Sequence, residues 1–197
     1  MKTIDEDIKS GQFKTVYLLY GDEAYLKKQY KDKLKKAICG DDTMNLSYFE
    51  GKDCNAKEII GIAETLPFFA ERRVIVLEDT GLFKSASPEL ADYIKEMPDT
   101  TSMIFVEAEV DKRGKLYKAV QAKGRAVELG RQDDAMLIRW IAGSVKKENK
   151  QMAEGVIRHF LMKVGTDMEN IQKELEKLFC YTCVGDKLCQ DKQEKRV

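Results

Sequence analysis

At 197 residues, with 43% hydrophobic residues and only three prolines, the chain can bury a real core, which excludes a disordered protein. Lys+Arg and Asp+Glu both number 34, so no global basic field draws the chain to nucleic acid, and any such contact must come from a local patch. No run approaches the ~18 apolar residues of a membrane span, and the N-terminal MKTIDEDIKSGQF carries acids where a signal peptide needs an apolar stretch.

Thr15–Gly21, TVYLLYG, is a short apolar run closed by glycine and predicts a buried strand. In the DEAYLKKQYKDKLKKAI that follows, Leu26, Tyr30, Leu34 and Ile38 recur four apart, which predicts a helix with Asp22 as its N-cap. NLSYFEG, Asn45–Gly51, is strand-like and stops at a glycine. NAKEIIGIAETL, Asn55–Leu66, places Ile59, Ala63 and Leu66 on one face of a helix capped by Asn55 and stopped by Pro67. A strand over RVIVLED, a helix over Ser87–Met97, a strand over SMIFVEA, a helix over Lys115–Lys123 and a strand over RAVELG complete the series. Short strands alternating with helices predict an α/β domain over 1–130: a parallel five-stranded sheet with helices on both faces.

After Gly130 the pattern changes. DDAMLIRWIAGSVKKE, MAEGVIRHFLMKVG and DMENIQKELEKLF are helical with no strand between them, and Met168, Ile171, Leu175 and Leu178 keep three-and-four spacing. A small three-helix domain is therefore expected over 131–180, followed by a polar, frayed tail over 181–197.

The turn between the first strand and its helix is where a nucleotide phosphate would bind in an architecture of this kind. Glycine-rich turns wrap phosphates with backbone N–H groups, a lysine meets the terminal ones, and a Ser/Thr holds Mg²⁺. Here the turn reads LLYGDEAYLKK: only Gly21 remains, Asp22 and Glu23 occupy the phosphate positions, and no Gly-Lys-Ser/Thr occurs. Productive ATP binding is not expected. VIVLEDT imitates the apolar strand and acidic pair that support Mg²⁺ in an ATPase, but without a phosphate loop Glu78 and Asp79 read as strand-end acids. One histidine, His159, and no serine elbow or Asp-x-Asp cluster leave nothing to build a triad or two-metal site, so no catalytic site, cofactor or metal is expected.

Five cysteines are an odd number, with Cys180, Cys183 and Cys189 near the end, so a disulfide framework is not expected and the chain reads as cytoplasmic and reduced. Cys180 and Cys183 with Cys189 give three ligands at most; unpaired thiols are the simpler reading than zinc, which needs four.

Two stretches leave alternatives open. DKRGKLYKAVQAKGR, Asp111 to Arg125, sets six basic residues against one acid. It is either a solvated helix face or a phosphate-backbone or partner contact, with Lys112, Arg113, Lys115 and Lys118 as candidates; Tyr117 and Trp140 are spaced as core and not as a base-stacking platform. In TLPFFAERRVIVLED, Pro67, Phe68 and Phe69 sit on the lip of a strand, either as core residues at a turn or as apolar anchors for a partner.

YLLYGDEAYL, AETLPFFAERRVIVLED, DKRGKLYK and VGTDMENIQKELEKL occur in this order. Together they resemble the delta-subunit family of bacterial DNA polymerase III, clamp-loader subunits that engage the sliding clamp. The resemblance runs from about residue 15 to 179. It implies an AAA+-like α/β domain, a helical lid domain and a C-terminal collar domain. It further implies a phosphate site that does not work, no ATPase activity of the chain's own, and membership in a DNA-directed DNA polymerase (nucleotidyltransferase) complex. The implied partners are the sliding clamp (beta subunit), the gamma/tau and delta-prime subunits, and primed DNA within the complex; no membrane is involved. In that family two adjacent hydrophobic residues at the end of the helix before the third strand enter a pocket on the clamp. Here they correspond to Phe68 and Phe69, with Leu66 and Pro67 alongside. The chain ends at Val197, near where the collar would begin, so the collar is expected to be missing, and the CYTCVGDKLCQDKQEKRV tail departs from the family pattern. The alternatives are a P-loop-like NTPase with an unorthodox phosphate site, and a delta-prime-like stator, whose zinc-binding cysteines and Ser-Arg-Cys motif are absent here.

Overall fold

The structure, a computed structural model, describes residues 2–85 and 87–181. Two compact units divide between Gly130 and Arg131. Of the tail expected over 181–197, Tyr181 ends a helix, and the rest, with Cys183 and Cys189, lies outside the described residues.

The first unit opens with α1 (Lys2–Ser10) and continues β1 (Val16–Tyr20), α2 (Ala24–Cys39), β2 (Leu46–Glu50), α3 (Ala56–Ala63), β3 (Arg73–Glu78), α4 (Pro88–Glu96), β4 (Thr101–Glu107), α5 (Lys115–Lys123) and β5 (Arg125–Glu128). The five strands form one sheet in the order β2-β3-β4-β1-β5, with every pairing parallel. The α/β class with a parallel five-stranded sheet is as the alternating pattern predicts.

Strand period sorts the side chains onto two faces. Val16, Leu18, Tyr20, Ile75, Leu77, Met103 and Phe105 join Ile59 and Ala63 of α3, Leu90, Ala91 and Ile94 of α4, and Leu116 and Val120 of α5 in one apolar cluster. The alternate residues Tyr17, Leu19, Val74, Val76 and Ile104 are also buried, and α2 packs against β1, β3 and β4. β1, β3 and β4 are thus covered on both faces, which is why they read as continuous apolar runs and not as alternation.

Three local features differ from the sequence reading. The helix α1 was not legible, because it exposes charge on most sides and buries only Ile4 and Asp7. Asp7 is held by Arg125 of β5 through a two-point ion pair at 2.7 and 2.8 Å and by the Tyr17 hydroxyl at 3.1 Å; the Arg125 hydrogen bond draws its carboxyl below the ordinary range. Second, Asp22 is not the cap of α2. Glu23 takes that position without a side-chain capping bond. Third, α3 ends at Ala63 and not at Leu66. Thr65 closes the last turn, its N–H donating to Ile62 O (3.1 Å) and its hydroxyl to Gly61 O (3.1 Å). Leu66 precedes a proline and is steered away from helical backbone, so it leaves the face that Ile59 and Ala63 share.

The second unit contains α6 (Asp134–Lys147), α7 (Glu154–Val164) and α8 (Met168–Tyr181). Asp133 caps α6 by accepting from Met136 N–H. Leu137, Ile141, Val145, Ile157, Leu161, Met168, Ile171 and Leu175 are buried, α7 packs on α6 and α8 on α7, and the three-and-four spacing read in α8 marks its buried face. Trp140 is half-buried.

Candidate functional site

The order in which strands are added reverses beside β1, which has β4 on one side and β5 on the other. In open α/β sheets the carboxyl ends of the strands at such a switch point form the ligand crevice. Here the connection from β1 to α2 is only Gly21, Asp22 and Glu23, and two of its three amides are already engaged. Gly21 N–H donates to Ala108 O at 3.2 Å, Glu23 N–H to Leu129 O at 2.9 Å, and Leu129 N–H to Tyr20 O at 2.7 Å. The backbone beyond β5 therefore lies against the turn. Gly21 has φ +119°, and a Cβ placed there would stand 2.6 Å from Leu129 O, so only glycine fits.

The charged groups beside this turn are equally occupied. Lys27, one turn into α2, is buried and donates its Nζ to the main-chain oxygen of Glu107 at 3.1 Å. The buried Glu107 carboxylate accepts from Thr80 N–H (3.1 Å) and Oγ1 (2.6 Å) through one oxygen and from Gly81 N–H (3.3 Å) through the other. Burial pushes its carboxyl above the usual range even against those donors. Glu78 is paired with Lys31 at 2.8 Å, while Asp79, at φ +49°, turns out to solvent. The acidic pair is split and forms no joint metal site. Among the described residues no three His, Cys, Asp or Glu converge in a way that could hold a metal ion, and Cys39, Cys54 and Cys180 are free thiols.

The segment between α3 and β3 is built the other way round. Leu66 is 77% exposed, Phe68 55% and Phe69 96%, so neither phenylalanine is a core residue. Pro67, between Leu66 and Phe68, is half-buried and fixes its own φ. The two rings stand edge-to-face with centroids 4.5 Å apart, a favourable aromatic geometry. Phe69 has φ +50°; a bulky side chain in the left-handed region costs about 1–2 kcal/mol, which the surroundings must hold in place.

What holds it is polar. Arg73, at the start of β3, donates to Thr65 O (3.1 Å) and Leu66 O (3.4 Å). Asn45, just ahead of β2, accepts Phe68 N–H at 2.6 Å and donates to Phe68 O at 2.8 Å. Asp42 accepts from the same Asn45 amide at 2.6 Å, and this bond, with that from Met44 N–H, holds the Asp42 carboxyl below its ordinary range. At the end of α3, Thr101 Oγ1 donates to Ala63 O at 2.8 Å, anchoring the helix where the segment leaves it. Asn45, Asp42 and Arg73 were not found from sequence, where one asparagine before a strand carries no signal of what it will bridge. Met44, also exposed, adds an apolar side chain next to Asn45 in the chain.

The basic segment is neutralised at both ends. Lys112 pairs with Glu128 at 2.8 Å, Arg113 with Asp111 at 3.1 Å and Arg125 with Asp7 at 2.7 Å. Lys115 and Lys118 are exposed on α5 and make no ion pair among the described residues, whereas Tyr117 between them is buried, with Tyr20 hydroxyl 3.3 Å from its own. Burial first, then that neighbour, pushes the Tyr20 phenol up to about 12.

Comparison with known proteins identifies the lineage. The DNA polymerase III subunit delta of Bacillus subtilis strain 168 is 28% identical over 195 aligned positions, covering 92% of this chain and 56% of the relative. Among solved structures, the Bacillus subtilis DNA clamp loader delta protein superposes with a TM-score of 0.76 at 22% identity, over 95% of this chain and 60% of that one, which is a likeness of fold. The chain thus spans little more than half the length of these relatives. The family described as DNA polymerase III, delta subunit, matches residues 17–129, more than half of the chain and the whole of the sheet and its helices from β1 on; this chain belongs to the DNA polymerase III delta subunit family.

Proposed function

We propose that this chain is the clamp-engaging part of a clamp loader: its loop 65–69 docks on the sliding clamp and helps open the ring for loading onto primed DNA. The observation that carries this reading is the pinned loop, on which Leu66, Phe68 and Phe69 are exposed around Pro67. Large apolar side chains held in water serve no purpose in the fold's own stability, and aromatic anchors of this kind are the usual hot spots of protein interfaces. The name of the Bacillus subtilis relative, a DNA clamp loader delta protein, agrees with it.

In this reading the fold is AAA+-like without its ATPase chemistry, and 131–180 serve as the lid. The turn after β1 spends its Gly21 and Glu23 amides on its own backbone and sets Asp22 and Glu23 where phosphates would lie, so hydrolysis falls to the gamma/tau subunits, with delta-prime as a further neighbour in a cytoplasmic replication complex. Lys115 and Lys118 are the candidates for contact with primed DNA or a sister subunit; Lys112 and Arg113 are secondary, being ion-paired within the chain. No helix among the described residues is long and apolar enough to cross a membrane.

The test is a pair of measurements on Phe68→Ala and Phe69→Ala. Titration against the sliding clamp of the same source should lose about 2–4 kcal/mol per substitution, roughly a 30- to 1,000-fold weaker Kd. Chemical denaturation should place both variants within about 1 kcal/mol of wild type, as surface changes usually do. Normal clamp affinity in both variants rejects the docking reading.

A further inference from the structure

We infer that Asn45 is the positioning residue of the docking loop: its buried carboxamide grips the backbone of Phe68 so that the apolar side chains are arranged before any partner arrives. This rests on the docking role proposed above for residues 65–69, and adds to it a residue that no partner would touch. Asn45 is fully buried, and both ends of its side chain are used on the loop, with Phe68 N–H at 2.6 Å and Phe68 O at 2.8 Å.

Three further observations make this a bracket and not an incidental contact. The carboxamide is fixed at its base, because Asn45 O accepts from Val74 N–H of β3 at 2.8 Å. It is fixed in rotation, because Asp42 accepts at 2.6 Å from the amide group that also serves Phe68 O. Its orientation has one consistent solution: the NH₂ faces two acceptors and the oxygen faces one donor, so a flipped amide would lose all three bonds.

The grip falls on a segment whose side chains give the core nothing. Phe68 and Phe69 are exposed, and α3 and β3 are secured independently by Thr101 on Ala63 O and by the ladders to β2 and β4. What the bracket determines is the direction in which the loop presents its rings, including the left-handed backbone of Phe69. Ordering a loop in advance removes part of the entropy cost of association.

A double-mutant cycle against the sliding clamp of the same source tests this. Asn45→Ala should weaken binding about tenfold, and in the Phe68→Ala background the same change should cost less than about threefold. Asn45→Asp should bind no better than Asn45→Ala, because the oxygen that replaces the NH₂ would face two acceptors, the Asp42 carboxylate and Phe68 O. Hydrogen exchange at the amides of residues 66–70 should speed up in the free Asn45→Ala protein. If that variant folds poorly, Asp42→Ala, which loosens the bracket from the outside, should still weaken binding about threefold. Equal losses from Asn45→Ala in both backgrounds would show that it acts through fold stability alone and overturn the inference. Unchanged affinity in Asn45→Ala and Asp42→Ala, with Phe68→Ala still defective, would overturn the inference and leave docking standing. Normal binding by Phe68→Ala and Phe69→Ala would remove docking itself, and the inference with it.

Discussion

The turn after β1 and the loop before β3 lie at opposite ends of the same parallel sheet, and they invert one another. At the carboxyl end, three residues join strand to helix and the Gly21 and Glu23 amides are spent on Ala108 and Leu129, with Lys27 and Glu107 folded inward beside them. At the amino end, the polar groups are also spent internally, by Asn45 and Arg73, but Leu66, Phe68 and Phe69 are left in water. The first region has turned two of its three turn amides onto its own backbone; the second has kept apolar surface that the fold does not need. Surface left exposed at a cost, on a backbone fixed by buried hydrogen bonds, is what a docking element requires.

The comparison can be broken most directly at Gly21. Gly21→Ala forces a Cβ to within 2.6 Å of Leu129 O at φ +119°, and should destabilise the protein by about 3 kcal/mol or more through strain and displacement of the β5 end. A urea midpoint within error of wild type would mean the turn is loose and the site open. The same measurement on Phe68→Ala should move little, which is the contrast between a region closed on itself and one facing outward.

Acid titration should sharpen the contrast, because the two regions respond with opposite sign. Glu107 has its carboxyl raised above 4.5 by burial, so the folded state binds its proton more tightly than the unfolded one. Its contribution is full below that ordinary value and is lost as pH rises through the folded value. Asp42 is held below 3.8 by Asn45 first and Met44 second, so its contribution is present above that value and is lost as pH falls through the folded one. Denaturation midpoints across pH ~3 to ~7 should lose the upper slope in Glu107→Gln and the lower slope in Asp42→Asn. A Glu107→Gln profile that parallels wild type would show that the buried carboxyl is not the cause.

The smallest expected effect is none. Millimolar Mg-ATP should leave the melting temperature where it is, since a ligand shifts stability only by binding the folded state and the turn commits the Gly21 and Glu23 amides to its own backbone and carries two acids, Asp22 and Glu23, where phosphates would sit. A rise of several degrees would reopen the NTPase alternative.

Sequence alone determined the sheet and its order of helices, because buried parallel strands read as unbroken apolar runs such as Val74–Leu77 and helices such as α8 show a three-and-four face. It also carried the broken phosphate motif and the oddly placed Phe68 and Phe69, since both are local in the chain. It could not carry α1, whose charged residues hide a single buried ion pair to Arg125, more than a hundred residues away. Nor could it decide whether the phenylalanines were core or surface, because Leu66 fits the spacing of Ile59 and Ala63 until the helix stops at Ala63. The reach of Asn45 to Phe68, the closure of the β1 turn by Leu129 and the pairing of Lys112 with Glu128 all join residues far apart in sequence. Spacing records which side chains share a face of one element; which polar group meets which across elements is fixed only when the chain packs.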